Sequence, residues 1–172
     1  VRFLPFHWIS SLLSDNYVIQ ESNYEAAPYL LAEADGRTLI SKGDEVYARG
    51  TWLAGVTSYD IVRSGQKFKD PDTGKVIGLE AITVGTATLN SLNGERAIML
   101  IADSFDAVKA GDRLIPKQAQ TLASNYMPAP PGFDVNAAII SIGSGRSIGG
   151  LHDTLLLNQG SYDGLAVGQI LA

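Results

Sequence analysis

The chain contains no cysteine. Disulfides and thiolate chemistry are therefore excluded, although that absence does not fix the compartment. Histidine is scarce. His7 and His152 lie in different segments, and neither stands at metal-ligand spacing from a second His or a Cys. Lys and Arg number 13 against 18 Asp and Glu, for a net charge of −5. Nucleic-acid binding needs clustered cations that neutralise phosphates, and this balance argues against it. No run of about 18 apolar residues occurs, so no segment reads as a membrane-spanning helix. Long helical patterns are also missing.

What the chain does have is a repeated phrase. It reads Lys42-Gly43-Asp44-Glu45-Val46-Tyr47-Ala48, then Ala110-Gly111-Asp112-Arg113-Leu114-Ile115-Pro116, then Val167-Gly168-Gln169-Ile170-Leu171-Ala172. Each phrase places a Gly, then a polar residue, then an apolar β-former. Gly supplies the backbone angles of a tight turn, and the residues after it open a strand. Gly43, Asp44, Gly111, Asp112, Gly164 and Gly168 are the expected structural turn positions. The reading is a mainly β scaffold of small barrel-like domains, with a short N-terminal helical arm and a partial SH3-like C-terminal barrel.

At 172 residues there is room for one good-sized domain or two small ones. Residues 1–35 read as an entry arm, with a helix of about two turns over 5–13 and short strands at 17–19 and 29–32. Glu21-Ser22-Asn23 separates those strands. Residues 36–116 read as a β-domain with strands at 37–41, 45–49, 58–63, 75–78, 80–89 and 97–102, and a possible helical turn at 103–109. Asp35-Gly36, Asp70-Pro71-Asp72-Thr73-Gly74 and Asn93-Gly94 mark turns. Residues 117–132, ending Met127-Pro128-Ala129-Pro130-Pro131-Gly132, read as a semi-rigid linker, since proline offers no ladder donor. Residues 133–172 form the partial second β-domain. The sequence opens on Val1 and closes inside what reads as a strand, so the expectation is an ordered fragment of a longer protein.

Catalytic patterns are weak. Gly143-Ser144-Gly145-Arg146-Ser147-Ile148-Gly149-Gly150 lacks the Lys-Ser/Thr ending and following helix of a phosphate loop, and reads as a hairpin loop. Asp70 and Asp72 fall short of a calcium loop's donor count. No Gly-x-Ser-x-Gly elbow has Asp and His partners. His152 with Asp153 reads as a turn ahead of a strand rather than an acid/base pair. Glu80 and Asp103 are the conceivable carboxylates for a glycan-cleaving enzyme. No catalytic residue, metal site or cofactor is assigned. The remaining signal is apolar. Phe6, Trp8, Ile9, Leu12 and Leu13 crowd an arm too short to bury them all, so they serve packing on the β-domain, partner docking, or both.

The phrases Glu25-Ala26-Ala27-Pro28-Tyr29-Leu30-Leu31-Ala32, Gly43–Gly50, Tyr59–Gly65, Asp70–Gly74 with Ile77–Ala81, Gly111–Pro116 and Leu157–Gly168 give the chain a family resemblance. It resembles the C-terminal region of the type IV pilus secretin-associated (TsaP) family, LysM-containing envelope proteins with a FlgT-like C-terminal domain. The resemblance covers nearly the whole chain. It implies a non-catalytic periplasmic protein, associated with outer membrane and cell wall, that surrounds or anchors the outer-membrane secretin (PilQ-like) within a ring assembly. It also implies peptidoglycan binding through a LysM module that is not in this chain. A flagellar-type periplasmic ring component is the alternative, and a cell-wall glycan hydrolase the rival from another class.

Overall fold

A computed structural model describes residues 16–33, 40–71, 73–117, 129–142, 148–150, 153–166 and 168–171. The chain divides into two units, one of residues 15–66 and 78–119, the other of residues 1–14, 67–77 and 120–172.

The first unit is a barrel-like antiparallel sheet, and only the ends of two of its strands, residues 67–69 and 76–77, fall in the other unit. Its strands are β1 (Asn16–Ile19), β2 (Tyr29–Glu33), β3 (Glu45–Arg49), β4 (Ser58–Lys69), β5 (Val76–Asn93), β6 (Arg96–Ser104) and β7 (Arg113–Pro116). The order is β1-β5-β4-β7-β2-β3-β6, and β6 pairs back onto β5. All but β1 therefore follow one another round a ring, which removes most of the open edges that a flat sheet would leave. The long β5 makes closure possible. Its first half carries β1, with Asn16 opposite Ile82 and Ile19 opposite Leu79, and its second half carries β6 from Gly85↔Ser104 to Asn93↔Arg96. Register shifts at Thr86/Ala87 and Leu89/Ser91 mark irregularities along β5, of the kind that bend a strand round a barrel.

Alternation decides which side chains fill the ring. On β3, Val46 and Ala48 face in while Glu45, Tyr47 and Arg49 face out. On β6, Ala97, Met99 and Ile101 face in. These meet Ile61, Val84 and Leu114 in one core, and Trp52 packs edge-on against Tyr59 with ring centroids 5.5 Å apart. Burying each Val, Leu, Ile or Met among them contributes about 1.5–3 kcal/mol.

Several expectations change. Residues 16–33, read as part of an entry arm, hold strands of the barrel sheet, because β2 pairs with both β3 and β7. Glu21-Ser22-Asn23 is not a bare spacer but opens a helix, α1 (Glu21–Ala26). β4 continues to Lys69 rather than ending at 63, and the strands read at 75–78 and 80–89 are one strand, β5. Residues 103–109 form no helix, since β6 runs to Ser104 and a bend follows. The turns at Asp70–Gly74 and Asn93-Gly94 are present, with Gly74 at φ 69° and Gly94 at φ 61°. The helix over 5–13, Phe6, Trp8, Ile9, Leu12, Leu13, both histidines, Asp35-Gly36 and Gly143–Ser147 lie outside the described residues.

In the second unit, β8 (Ile139–Ile142) pairs antiparallel with β9 (Leu155–Leu157). Asn158 Oδ1 accepts the Ala138 N–H at 2.7 Å and closes the pair. A 3₁₀ turn follows at Ser161–Asp163, capped by Gly164 at φ 92°. The strand expected at 167–172 reduces to a single parallel bridge, Ala129 to Gln169, because no second described strand lies beside it.

One buried group stands out in the first unit. The Tyr17 hydroxyl on β1 is enclosed and has no hydrogen-bond partner. Burial, helped by the nearby Asp60 charge, pushes this phenol well above its ordinary value. A raised folded-state value means the contribution is fully present below the unfolded phenol's value of about 10 and is lost as pH climbs beyond it. We expect Tyr17→Phe to raise stability at neutral pH by about 1 kcal/mol and to shrink the alkaline loss. Urea unfolding at pH 7 and 10.5 (on the order of half a unit above a free phenol) checks both, and a variant less stable at pH 7 contradicts the account.

Candidate functional site

The repeated phrases fold into repeated turns. In the first, the Asp44 N–H donates to the Ser41 carbonyl at 3.1 Å, and Asp44 Oδ2 accepts the Ser41 N–H at 2.8 Å. In the second, the Asp112 N–H donates to the Lys109 carbonyl at 3.2 Å, and Asp112 Oδ2 accepts the Lys109 N–H at 2.8 Å. In the third, the Gln169 N–H donates to the Ala166 carbonyl at 3.2 Å, and Gln169 Oε1 accepts the Ala166 N–H at 3.0 Å. The glycine before the polar residue has positive φ each time: 91° at Gly43, 93° at Gly111 and 105° at Gly168. The chemistry explains the spacing. A four-residue turn with left-handed geometry at its third position favours Gly there, and the oxygen-bearing fourth side chain satisfies the first residue's amide.

The first two turns are also matched in their surroundings. Gly43 donates to the Ile101 carbonyl at 2.9 Å and the Ile101 amide returns a bond to the Asp44 carbonyl at 3.0 Å. Gly111 donates to the Leu30 carbonyl at 2.7 Å and the Leu30 amide returns a bond to the Asp112 carbonyl at 2.9 Å. The residues leading into the turns, Ile40 and Val108, form an antiparallel bridge with each other. The barrel is thus tied by two equivalent clasps that meet at Ile40 and Val108.

The clasps differ in charge. Asp112 is buried, with its side chain 5% exposed. It accepts Arg63 Nε at 2.9 Å and Nη2 at 2.8 Å, a bidentate pair. Nη2 also donates to the Ala107 carbonyl at 2.7 Å, and Nη1 reaches Asp106 at 3.5 Å. The Asp112 hydrogen bonds are the largest cause holding the Arg63 guanidinium above its ordinary value. Lys42 and Asp103, beside the first clasp, make an exposed pair at 2.6 Å. Arg113, one residue after the second clasp, lies over the Tyr29 ring at 5.1 Å and the Tyr24 ring at 5.7 Å and donates to the Ala27 carbonyl at 2.8 Å. Arg63 follows the apolar pair Ile61-Val62 on β4, but nothing local to the sequence marks it or Arg113 as structural cations.

The bonds of this arrangement join β4 to the second turn and close each turn on its first amide. Asp103 stands opposite Thr86, six residues along β5 from Glu80, or roughly 20 Å of strand. Glu80 packs over Gly65 and accepts the Gln66 amide, while Asp103 pairs with Lys42. The two carboxylates do not face one another across a cleft. Among the described residues, no three His, Cys, Asp or Glu side chains gather as a metal site. The fold is a mainly β, barrel-like sheet tied by two clasps. Compared with models of known families and with curated proteins, the chain matches none.

Both glycines are testable. Their substituents would meet open space, so backbone angle alone sets the cost. Gly43→Val and Gly111→Val should each lower stability by about 1–3 kcal/mol. Unchanged melting for both variants would remove the turn argument.

Proposed function

We propose that this chain is a non-catalytic structural module of the bacterial envelope that docks on the outer-membrane secretin of the type IV pilus. The observation that carries the scaffold reading is the use made of Arg63, Lys109 and Asp112. This group has the composition of an active site, yet the Arg63 bonds tie β4 to the turn and Asp112 also holds the turn's own Lys109 amide. The secretin as partner, and the periplasmic setting, rest on the resemblance of the Gly43–Gly50, Tyr59–Gly65 and Leu157–Gly168 phrases to the secretin-associated family. On this reading the barrel is a rigid spacer, peptidoglycan is gripped by a LysM module outside this chain, and the apolar arm supplies the anchor.

Trp8 is the residue that tests it, since large aromatics dominate binding hot spots, with truncation costs of about 2 kcal/mol or more. Trp8→Ala should weaken secretin binding at least about tenfold and leave the barrel's melting unchanged. Pull-down from an envelope extract identifies the partner. Recovery of flagellar ring proteins instead of a secretin would favour the alternative. Muropeptide release by the purified chain would overturn the structural reading altogether.

A further inference from the structure

The hairpin that joins β5 to β6 turns at Asn93-Gly94. Asn93 is the last paired residue of β5, opposite Arg96, and Gly94-Glu95 form the loop between them. Asn93 alone among the asparagines of the chain precedes a glycine. The order suits a tight hairpin, and Gly94 sits at φ 61°. It also sets a side-chain amide beside a backbone nitrogen that no β-carbon shields. A Cβ at Gly94 would meet nothing within 4 Å, and Asn93, Gly94 and Arg96 are all exposed. Asn93 is therefore restrained only by the end rung of its ladder, and ladder ends open at little cost. Other asparagines are placed differently. Asn23 is exposed but precedes Tyr24 within α1. Asn90 donates its side-chain amide to Glu45 at 2.7 Å, and Asn158 holds the Ala138 N–H at 2.7 Å.

The loop does more than reverse the chain. The Glu95 carbonyl accepts the Gly50 N–H at 3.0 Å and the Trp52 indole N–H at 3.0 Å. Its carboxylate accepts Arg49 Nε at 3.2 Å and Nη2 at 3.0 Å. One loop residue thus fastens the end of β3 and the indole that packs on Tyr59.

We propose that Asn93 is a self-modification site, at which the backbone rearranges through a succinimide to an isoaspartyl linkage and unfastens Glu95 from β3 and Trp52. The Gly94 nitrogen bonds to Asn93 Cγ and gives up its proton. The bond from Cγ to Nδ2 breaks, and Nδ2 leaves as ammonia. Water then adds to a carbonyl of the ring and breaks that carbon's bond to the Gly94 nitrogen. Opening at Cγ leaves an ordinary aspartyl residue. Opening at the backbone carbonyl leaves the main chain running through Cβ and Cγ. The net change is water consumed and ammonia released, with no oxidant or reductant. The isoaspartyl form inserts an additional carbon between the last rung of β5 and Glu95. β6 stays in register with β3 from Glu45↔Leu100 to Arg49↔Arg96, so the added length falls on the loop and displaces Glu95.

The test uses the full chain, held folded in neutral buffer and sampled over time. Peptide mapping by mass, with chromatography that separates aspartyl from isoaspartyl forms, follows each asparagine. Asn93 should convert at least about tenfold faster than Asn23 and yield the isoaspartyl form. Conversion no faster than that of Asn23 overturns the site. In the isoaspartyl protein, exchange of the Gly50 amide hydrogen should quicken by about tenfold or more. Trp8→Phe leaves Trp52 as the sole indole, and its emission should shift to the red as the site converts. Freshly purified Asn93→Asp adds the charge without lengthening the chain, and should match wild type in both readouts. Unchanged Gly50 exchange in the isoaspartyl protein, or an equal change in Asn93→Asp, overturns the coupling to Glu95.

Discussion

Replacing Asp112 with Ala is expected to lower the stability of the barrel by about 3 kcal/mol, whereas Asp44→Ala should cost about 1 kcal/mol. The two residues occupy equivalent turns, so the difference isolates what Asp112 does beyond its turn. Asp44→Ala loses the bond to the Ser41 amide. Asp112→Ala loses the matching bond to Lys109 and both bonds from Arg63. The Arg63 guanidinium then stays in place, held by the Ala107 carbonyl, with a carboxylate missing from a largely enclosed site. Its side chain is 28% exposed, so water recovers part of the charge and the estimate stays at the low end for a broken buried pair. The Arg63 value is raised, so its contribution is fully present below the ordinary arginine value and would fade only above it. Asp112→Asn keeps an oxygen for the Lys109 amide and should fall between the two. Urea midpoints at constant slope measure all three changes. Equal losses from Asp44→Ala and Asp112→Ala would mean the Arg63 pair adds nothing.

The turns could be read from the sequence because their causes are local. Gly at the third position and an oxygen-bearing side chain at the fourth fix the geometry within a few residues, and the phrases at 42–48, 110–116 and 167–172 carry that information whole. The mainly β character was legible for the same reason, through alternation such as that of Val46 and Ala48 against Tyr47 and Arg49. What stayed hidden depends on distant partners. β4 reads as ending before Gly65, because an isolated glycine weakens a strand; in the fold, Glu80 from β5 covers that glycine and the strand runs on to Lys69. α1 spans only Glu21–Ala26, too short to form by propensity, and is fixed by Tyr24 reaching Ser64 and by the Arg113 guanidinium over its ring. The pairing of β3 with β6, and of β2 and β4 with β7, leaves no pattern within those strands. The pairing of Arg63 with Asp112 across 49 positions is invisible to local spacing for the same reason.

Gly50→Ala should be the most damaging single-methyl change in the barrel, lowering stability by about 4 kcal/mol. The reason lies in register. Tyr29 stands opposite Arg49, so one further step sets Gly50 against Pro28. There an added Cβ would sit 2.5 Å from the Pro28 Cα and 2.8 Å from its Cβ. Neither atom can turn aside, because proline has no side-chain rotamer to change and its Cα is backbone. Gly50 also sits at φ 154°, a region that side chains rarely adopt. The chain cannot shift to relieve the contact cheaply. The Gly50 amide donates to the Glu95 carbonyl at 3.0 Å, and the Leu114 amide donates to the Pro28 carbonyl at 2.7 Å. Movement would strain β3 against β6 or β2 against β7, two of the junctions that close the ring. Gly55→Ala is the control: it too has positive φ, 79°, but open space around it, so it should cost about 1 kcal/mol by backbone angle alone. Thermal and urea unfolding of both variants separate collision from conformation. Similar losses at the two positions would show that Pro28 yields, and that the junction between β2 and β3 is softer than its geometry implies.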